Sequence, residues 1–352
     1  MTASASPRII VHIGAPKTAS TYLQRRLRIN ADTLRDHAVY IPVLPAVATM
    51  AGNAKLLATT MSRRPSLTFQ RGFPEIDVTK LDPGQIVAEL LSDWRSNAES
   101  VVLSAENLRP NHAPRLRALL PASAACVVVL FVRRQDRWID SYYNQMVKTN
   151  EVANEISAFV AKLCDSEGER LCRPDWFAHY EAWRSAFGDC RIVFYDEVAN
   201  DVFGAFFEAA NLPPVPGLID VDRAQVSLNT FEVAYLLAQQ HPMDFADFLQ
   251  RKNACEKASG RLGVNTTKSL LSDSDLARLR QRFDESNRRL IAALRREDNP
   301  PPLHIDAGTT SHSYWDLEHL RGSEAYAEFR QLADTIYSNR KRRRWFSFGR
   351  SG

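Results

Sequence analysis

Apolar residues along the chain follow two different spacings. Short, nearly continuous apolar runs occur at Arg8-Ile9-Ile10-Val11, Val101-Val102-Leu103, Cys126 to Val132 and Ile192-Val193-Phe194-Tyr195. Runs of this length, rich in β-branched residues, read as strands covered on both faces, as in a parallel sheet. Between them the apolar positions recur at helical spacing. Leu23 and Leu27 stand one turn apart, and Ile86, Val87, Leu90, Leu91 and Trp94 form a stripe behind Pro83. Trp138, Ile139, Tyr142 and Met146 form a second stripe, and an amphipathic segment runs from Trp176 to Phe187. Strands alternating with helices predict an α/β fold, a parallel β-sheet flanked by helices.

From about Asn200 the strand signal stops, and a helical C-terminal part is expected. Helices are predicted over Val202 to Asn211, Thr230 to Gln240, Asp244 to Arg251, Asp273 to Arg296 and Ser323 to Tyr337. Pro300-Pro301-Pro302 stops the fourth of these. Residues 41 to 80, punctuated by Pro42, Pro45, Gly52, Pro65, Gly72 and Pro74, read as irregular. A long irregular stretch beside a β-α unit is usually functional, so this one is expected to form part of an acceptor cleft. The expected organisation is a flexible start (1–7), one domain (8–338) whose α/β core ends near residue 200, and a basic tail (339–352).

Chemistry gathers just after the strands. His12-Ile13-Gly14-Ala15-Pro16-Lys17-Thr18-Ala19-Ser20-Thr21-Tyr22 links the first strand to the first helix through small residues. The free N–H groups of a first helical turn, with Lys17 and the hydroxyls of Thr18, Ser20 and Thr21 beside them, suit a phosphate or sulfate group. This is not a Walker loop, which needs a second glycine directly before its lysine. Glu106 follows the second strand and Arg133 the third. In parallel sheets ligands bind beyond the carboxyl ends of the strands, so Lys17, Glu106 and Arg133 are expected to share a site.

Charge changes the picture at one end only. The formal net charge is +4, but six cations (Arg340, Lys341, Arg342, Arg343, Arg344 and Arg350) fall in the last thirteen residues, which hold no acid. The remainder therefore carries −2 and offers no basic face for nucleic acid. The tail, with Trp345, Phe346 and Phe348 beside its cations, suits weak contact with an anionic membrane surface; a disordered terminus is the competing reading. The five cysteines (126, 164, 172, 190 and 255) form no CxxC pair, which argues against a zinc site and a disulfide framework. Cys164 and Cys172 are the pair that a bridge would join. The N-terminus lacks the charged and apolar regions of a signal peptide, and no apolar run is long enough for a membrane span, so a cytoplasmic protein is expected.

The order Pro16-Lys17-Thr18-Ala19-Ser20-Thr21-Tyr22 resembles the Pro-Lys-Ser-Gly-Thr-Thr-Trp loop of sulfotransferases that use 3′-phosphoadenosine-5′-phosphosulfate (PAPS), with Ala19 at the usual glycine. A second likeness is Phe131-Val132-Arg133-Arg134-Gln135-Asp136-Arg137-Trp138-Ile139-Asp140-Ser141-Tyr142-Tyr143-Asn144-Gln145, similar to bacterial and glycan-modifying members. The resemblance implies a P-loop-like sulfotransferase core in which the loop Gly14 to Tyr22 holds the 5′-phosphosulfate. Arg133, with Ser141 eight residues on, would meet the 3′-phosphate. Ser104-Ala105-Glu106-Asn107-Leu108 resembles the stretch that supplies a glutamate base; His12 competes for that role, although a histidine there is more often a packed core residue. Ser259-Gly260-Arg261 would stand in for the segment that closes over the donor, and Phe283 to Leu290 is similar to a late helix that packs. Trp176, His179 and Tyr180 would either stack on a sugar or belong to the core. The implied reaction moves a sulfuryl group to an acceptor hydroxyl, on a glycan or other metabolite, without metal. Two alternatives stand beside it: a P-loop kinase using ATP, and a non-catalytic nucleotide- or glycan-binding protein.

Overall fold

The computed structural model describes residues 8–47, 49, 52–92, 94, 98–152, 154–165, 174–222, 227–239, 244–264, 269–305 and 316–348. Its sheet has five strands: β1 (Arg8–Gly14), β2 (Val39–Tyr40), β3 (Ser100–Ala105), β4 (Cys126–Val132) and β5 (Cys190–Phe194). Their order is β2-β3-β1-β4-β5 and all neighbours are parallel. The α/β expectation holds, and so does the helical character of the C-terminal part.

β1 is buried at every position from Ile9 to Gly14, because helices cover both faces to which its side chains alternate. On one face Ile10, Val102, Val129 and Phe131 pack against Leu23 and Leu27 of the first helix (Ser20–Ile29) and Phe203, Phe206 and Phe207 of the helix Val202–Ala209. The helix Trp176–Phe187 packs on β4 and β5 and buries Trp176 and Trp183 completely. Trp176, His179 and Tyr180, the aromatic set that a sugar would have needed, are all core residues, none more than 6% exposed.

Residues 41 to 80 are irregular only in part: among the described residues they hold a 3-10 turn (Pro45–Val47) and two helices, Lys55–Ser62 and Leu67–Gly72. The helix Lys55–Ser62 escapes a reading by pattern because it is buried almost all round, from Leu56 to Met61, and carries two threonines of low helix propensity. β2 also escapes it, since two residues carry no period.

The molecule divides into two compact units. The first comprises Met1–Trp138, Cys172–Ala224 and Phe283–His304 and contains the whole sheet; the second comprises Ile139–Leu171, Gln225–Arg282 and Ile305–Gly352. The units interleave along the chain. In the second unit the helices Phe245–Leu262 and Glu324–Phe348 pack along each other. Tyr235 donates to Asp334 at 2.8 Å, and Arg251 lies 4.1 Å over the Tyr337 ring. Ser259-Gly260-Arg261, the expected donor-closing segment, is inside the first of these helices, with Ser259 buried and bonded to Asn229. The tail continues the second helix to Phe348, so the terminus is not without structure as far as that residue.

Asn287, from the segment similar to a late family helix, exchanges amide hydrogen bonds with Gln135 at 2.7 and 3.1 Å inside the first unit. Cys126, Cys164, Cys190 and Cys255 are free thiols; Cys172, and with it the Cys164–Cys172 pairing, lies outside the described residues. Residues 1–7 lie outside them too. Among the described residues no helix is long and apolar enough to cross a membrane, and no group of side chains has the makings of a metal site.

Candidate active site

β1 is the strand at which the sheet order reverses, with β3 on one side and β4 on the other. Ile13 pairs with Ala105 and Gly14 with Phe131, so three strand ends stand side by side. The residues that follow them are Ala15 to Ala19, Glu106 and Arg133. A crevice beyond such a switch point is where open parallel sheets bind ligands.

The loop after β1 is folded around its own carbonyls. The Thr18 hydroxyl donates to the Ala15 carbonyl at 2.7 Å and lies 3.4 Å from Ser20 Oγ, itself 3.5 Å from the same carbonyl. Thr18 and Ser20 are buried at 1% and 3% exposure, so they brace the turn and do not face a ligand. Gly14 is required there, because a Cβ on it would stand 2.0 Å from Ser20 Oγ. Trp138 Nε1 donates to the Pro16 carbonyl at 2.7 Å and Trp176 Nε1 donates to the Arg133 carbonyl at 2.8 Å. The two tryptophans meet edge to face, 6.0 Å between centroids. Together they tie the loops after β1 and β4 to the core of the first unit. Pattern reading misses both roles, and the available signal was chemical: a buried indole N–H needs an acceptor.

Lys17 and Ala19 adopt left-handed backbone, at φ 70° and 61°. Ala19 is also the N-cap of the first helix and makes no side-chain cap, and the first turn holds no acid. A helix start without a side-chain cap or an acid suits an external oxyanion. A left-handed residue bearing a Cβ costs about 1–2 kcal/mol, part of which glycine returns as extra unfolded-state entropy. Ala19→Gly is expected to stabilise the protein by about 0.5–1 kcal/mol, read as a higher urea midpoint. A lower midpoint would mean that the loop is not held in this turn.

Thr21, in the first helical turn, donates to Glu106 Oε1 at 3.2 Å, which draws the carboxylate toward the loop. The backbone beneath Glu106 is fixed from the other side. Asn53 accepts from Ser104 N and donates to the Val102 carbonyl, each at 2.8 Å, taking the place of the strand that β2 is too short to supply. Asn107 Nδ2 donates to Thr59 Oγ1 at 2.9 Å. No pattern in the sequence marks Asn53, because its partners lie about fifty residues away.

His12 is an interior residue of β1, 1% exposed, with its ring edge-on to Phe131 and Phe206 at 5.4 and 5.5 Å. Its Nδ1 is 2.7 Å from Ser104 Oγ, directly across the β1–β3 register, and Gln24 Nε2 donates to the same hydroxyl at 3.0 Å. Burial pushes the imidazole down to about 3, so it is neutral at ordinary pH, and at 1% exposure it offers no open face to an acceptor. His12 is packing, and Glu106 is the carboxylate that faces the loop.

The paired arginines have separate fates. Arg133 turns toward the loop: one terminal nitrogen donates to the Lys17 carbonyl at 3.3 Å, and the guanidinium lies 5.1 Å over the Tyr195 ring. Its Nε stands 3.7 Å from Asp196 Oδ1 and is buried without a hydrogen bond, while the side chain remains 22% exposed. Arg134 is committed elsewhere, in a two-pronged pair with Asp136 at 2.7 and 2.8 Å, and its backbone N–H goes to Asp196. Tyr22 donates to Asp220 at 2.8 Å and accepts from Arg26 at 2.7 Å. Ser141 is half-buried on the helix Gln135–Lys148 and belongs to the second unit.

The donor set in the first unit therefore fits an oxyanion, through an uncapped helix start, a lysine and an arginine with unmet capacity. No protein-family profile matches the chain, and no curated protein matches it. Among solved structures it is similar to a sulfotransferase from Alicyclobacillus acidocaldarius, at a TM-score of 0.43 and 14% identity, over 79% of this chain and 96% of that one.

Proposed function

We propose that this protein is a PAPS-dependent sulfotransferase acting on an acceptor hydroxyl. The observation that carries the reading is the convergence of the Lys17 loop, Glu106 and Arg133 on three adjacent strand ends. Each supplies one need of sulfuryl transfer. The first-turn amides and Lys17 bind the sulfate and phosphate oxygens, and Lys17 offsets the charge that builds on the oxygen bridging sulfur to the 5′-phosphate. Glu106 takes the acceptor's proton as the new sulfur–oxygen bond forms and the bridging bond breaks. Arg133 reads the 3′-phosphate with the donors that Lys17 and Asp196 leave unmatched. PAPS brings the activated sulfuryl group, and the products are a sulfate ester and adenosine 3′,5′-bisphosphate. The proposal rests on the first unit.

Nucleotide titration tests it without an acceptor. Arg133→Ala should weaken adenosine 3′,5′-bisphosphate by about one to two decades, the worth of a charge-assisted pair, and adenosine 5′-phosphate far less. Arg134→Ala should leave both affinities alone but destabilise the fold, because Asp136, with its side chain only 5% exposed, loses its counter-ion. Removing one partner of a buried pair costs about 3–5 kcal/mol. Equal loss of both nucleotides in the Arg133 variant would overturn the assignment, and release of adenosine 3′,5′-bisphosphate on incubation with PAPS and alcohols tests the reaction itself.

A further inference from the structure

The helix Glu324–Phe348, in the second unit, changes character part-way along. In its first half Tyr326, Phe329, Ala333 and Tyr337 are all buried, a seam at spacings of three and four residues that packs on the helices Thr230–Leu237 and Phe245–Leu262. Phe329 lies edge to face with Phe231 and Tyr235. The long helix and Phe245–Leu262 run antiparallel, with Tyr326 in electrostatic reach of Cys255 and Tyr337 donating to Asp247. Asp247 is in the first turn of Phe245–Leu262, whose N-cap is Asp244. Residues 338–348 therefore carry the longer helix about 16 Å past the start of its partner.

The sequence of that overhang does not continue the seam. The next seam positions, one and two turns beyond Tyr337, are Arg340, Lys341 and Arg344. Arg340 to Arg344 is an unbroken run of five cations, and no acid follows Asp334. In a helix this run sets like charges three and four residues apart, Arg340 with Arg343 and Arg344, and Lys341 with Arg344. Such pairs weaken a helix until an outside anion offsets them. Trp345, Phe346 and Phe348 follow directly, and residues of this kind settle at a membrane–water interface. A helical backbone pairs its own polar groups, which is what a segment lying among lipid headgroups requires.

We propose that residues 340–348 are a docking helix for an anionic lipid surface. A basic stretch alone would also suit nucleic acid, but the chain without its last thirteen residues carries −2 and offers no basic face to extend such a contact. Among the described residues no helix is long and apolar enough to cross a membrane, so the contact is peripheral. The inference is independent of the sulfuryl-transfer reading. Co-sedimentation of the full chain with lipid vesicles tests it. Binding is expected on phosphatidylcholine vesicles containing one quarter phosphatidylglycerol, falling as salt rises, and far less on phosphatidylcholine alone. Each cation near such a surface is worth about fivefold in partitioning, so Arg342→Gln combined with Arg343→Gln should weaken binding about 25-fold. Trp345→Ser combined with Phe346→Ser leaves the charge unchanged and should weaken it about tenfold or more. All four positions lie beyond Tyr337, so the melting temperature should hold in both double variants. Equal binding to the two kinds of vesicle, no binding to either, or binding that neither double variant changes overturns the proposal. A short DNA strand bound more tightly than the anionic vesicles at the same salt also overturns it, and makes the helix a nucleic-acid contact.

Discussion

Glu106→Gln is expected to lower turnover from PAPS by roughly 10²–10⁴ while adenosine 3′,5′-bisphosphate binds almost as before. The substitution separates basicity from shape. An amide oxygen can accept the Thr21 hydroxyl bond that Glu106 Oε1 accepts at 3.2 Å, so the side chain stays drawn toward the loop. The backbone beneath it is unaffected, since Asn53 holds β3 through Val102 and Ser104. An amide cannot take the acceptor's proton, and without a base the attacking oxygen stays neutral until the sulfur–oxygen bond is largely formed. The competing base is His12, buried, bonded to Ser104 and held neutral down to about 3. Turnover that survives Glu106→Gln and fails in His12→Asn at unchanged melting temperature would move the base to the histidine.

Lys17→Ala is expected to reduce transfer by about 10²–10³, the usual cost of deleting one stabiliser of developing charge. The fold should persist. Lys17 is half-buried in a loop whose turn is held by the Thr18 and Ser20 hydroxyls at the Ala15 carbonyl and by the Trp138 indole on the Pro16 carbonyl. Alanine inherits the same left-handed backbone that Lys17 shows at φ 70°, so the variant adds no new conformational strain. Circular dichroism and thermal melting establish the fold, and single-turnover release of adenosine 3′,5′-bisphosphate measures the step. Turnover within about threefold of wild type, far inside the expected loss, would remove the loop from the chemistry.

The strands β1, β3, β4 and β5 were legible in the sequence because buried parallel strands are short continuous apolar runs, and Lys17, Glu106 and Arg133 could be placed after them for the same reason. The Lys17 loop was legible as an anion site because its chemistry is local: backbone amides and a lysine within one turn of a helix start. Helix limits came close at Val202–Ala209, Thr230–Leu237 and Asp273–Ala293, whereas the helices Phe245–Leu262 and Glu324–Phe348 run on well past the expected ends at Arg251 and Tyr337, and Lys55–Ser62, buried on nearly all sides, left no contrast to read. What only the tertiary structure decided depends on partners distant in the chain. Whether Thr18 and Ser20 face a ligand or brace the loop was settled by where the Ala15 carbonyl lies. Arg133 and Arg134 look alike in sequence, and their separation follows from Asp136 capturing one and the Lys17 carbonyl the other. The strand order places β3 and β4 on either side of β1, a consequence of crossovers that no local pattern records. Local propensity and hydrophobic period act over a turn or a strand, whereas hydrogen-bond pairing across the sheet is a property of the assembled core.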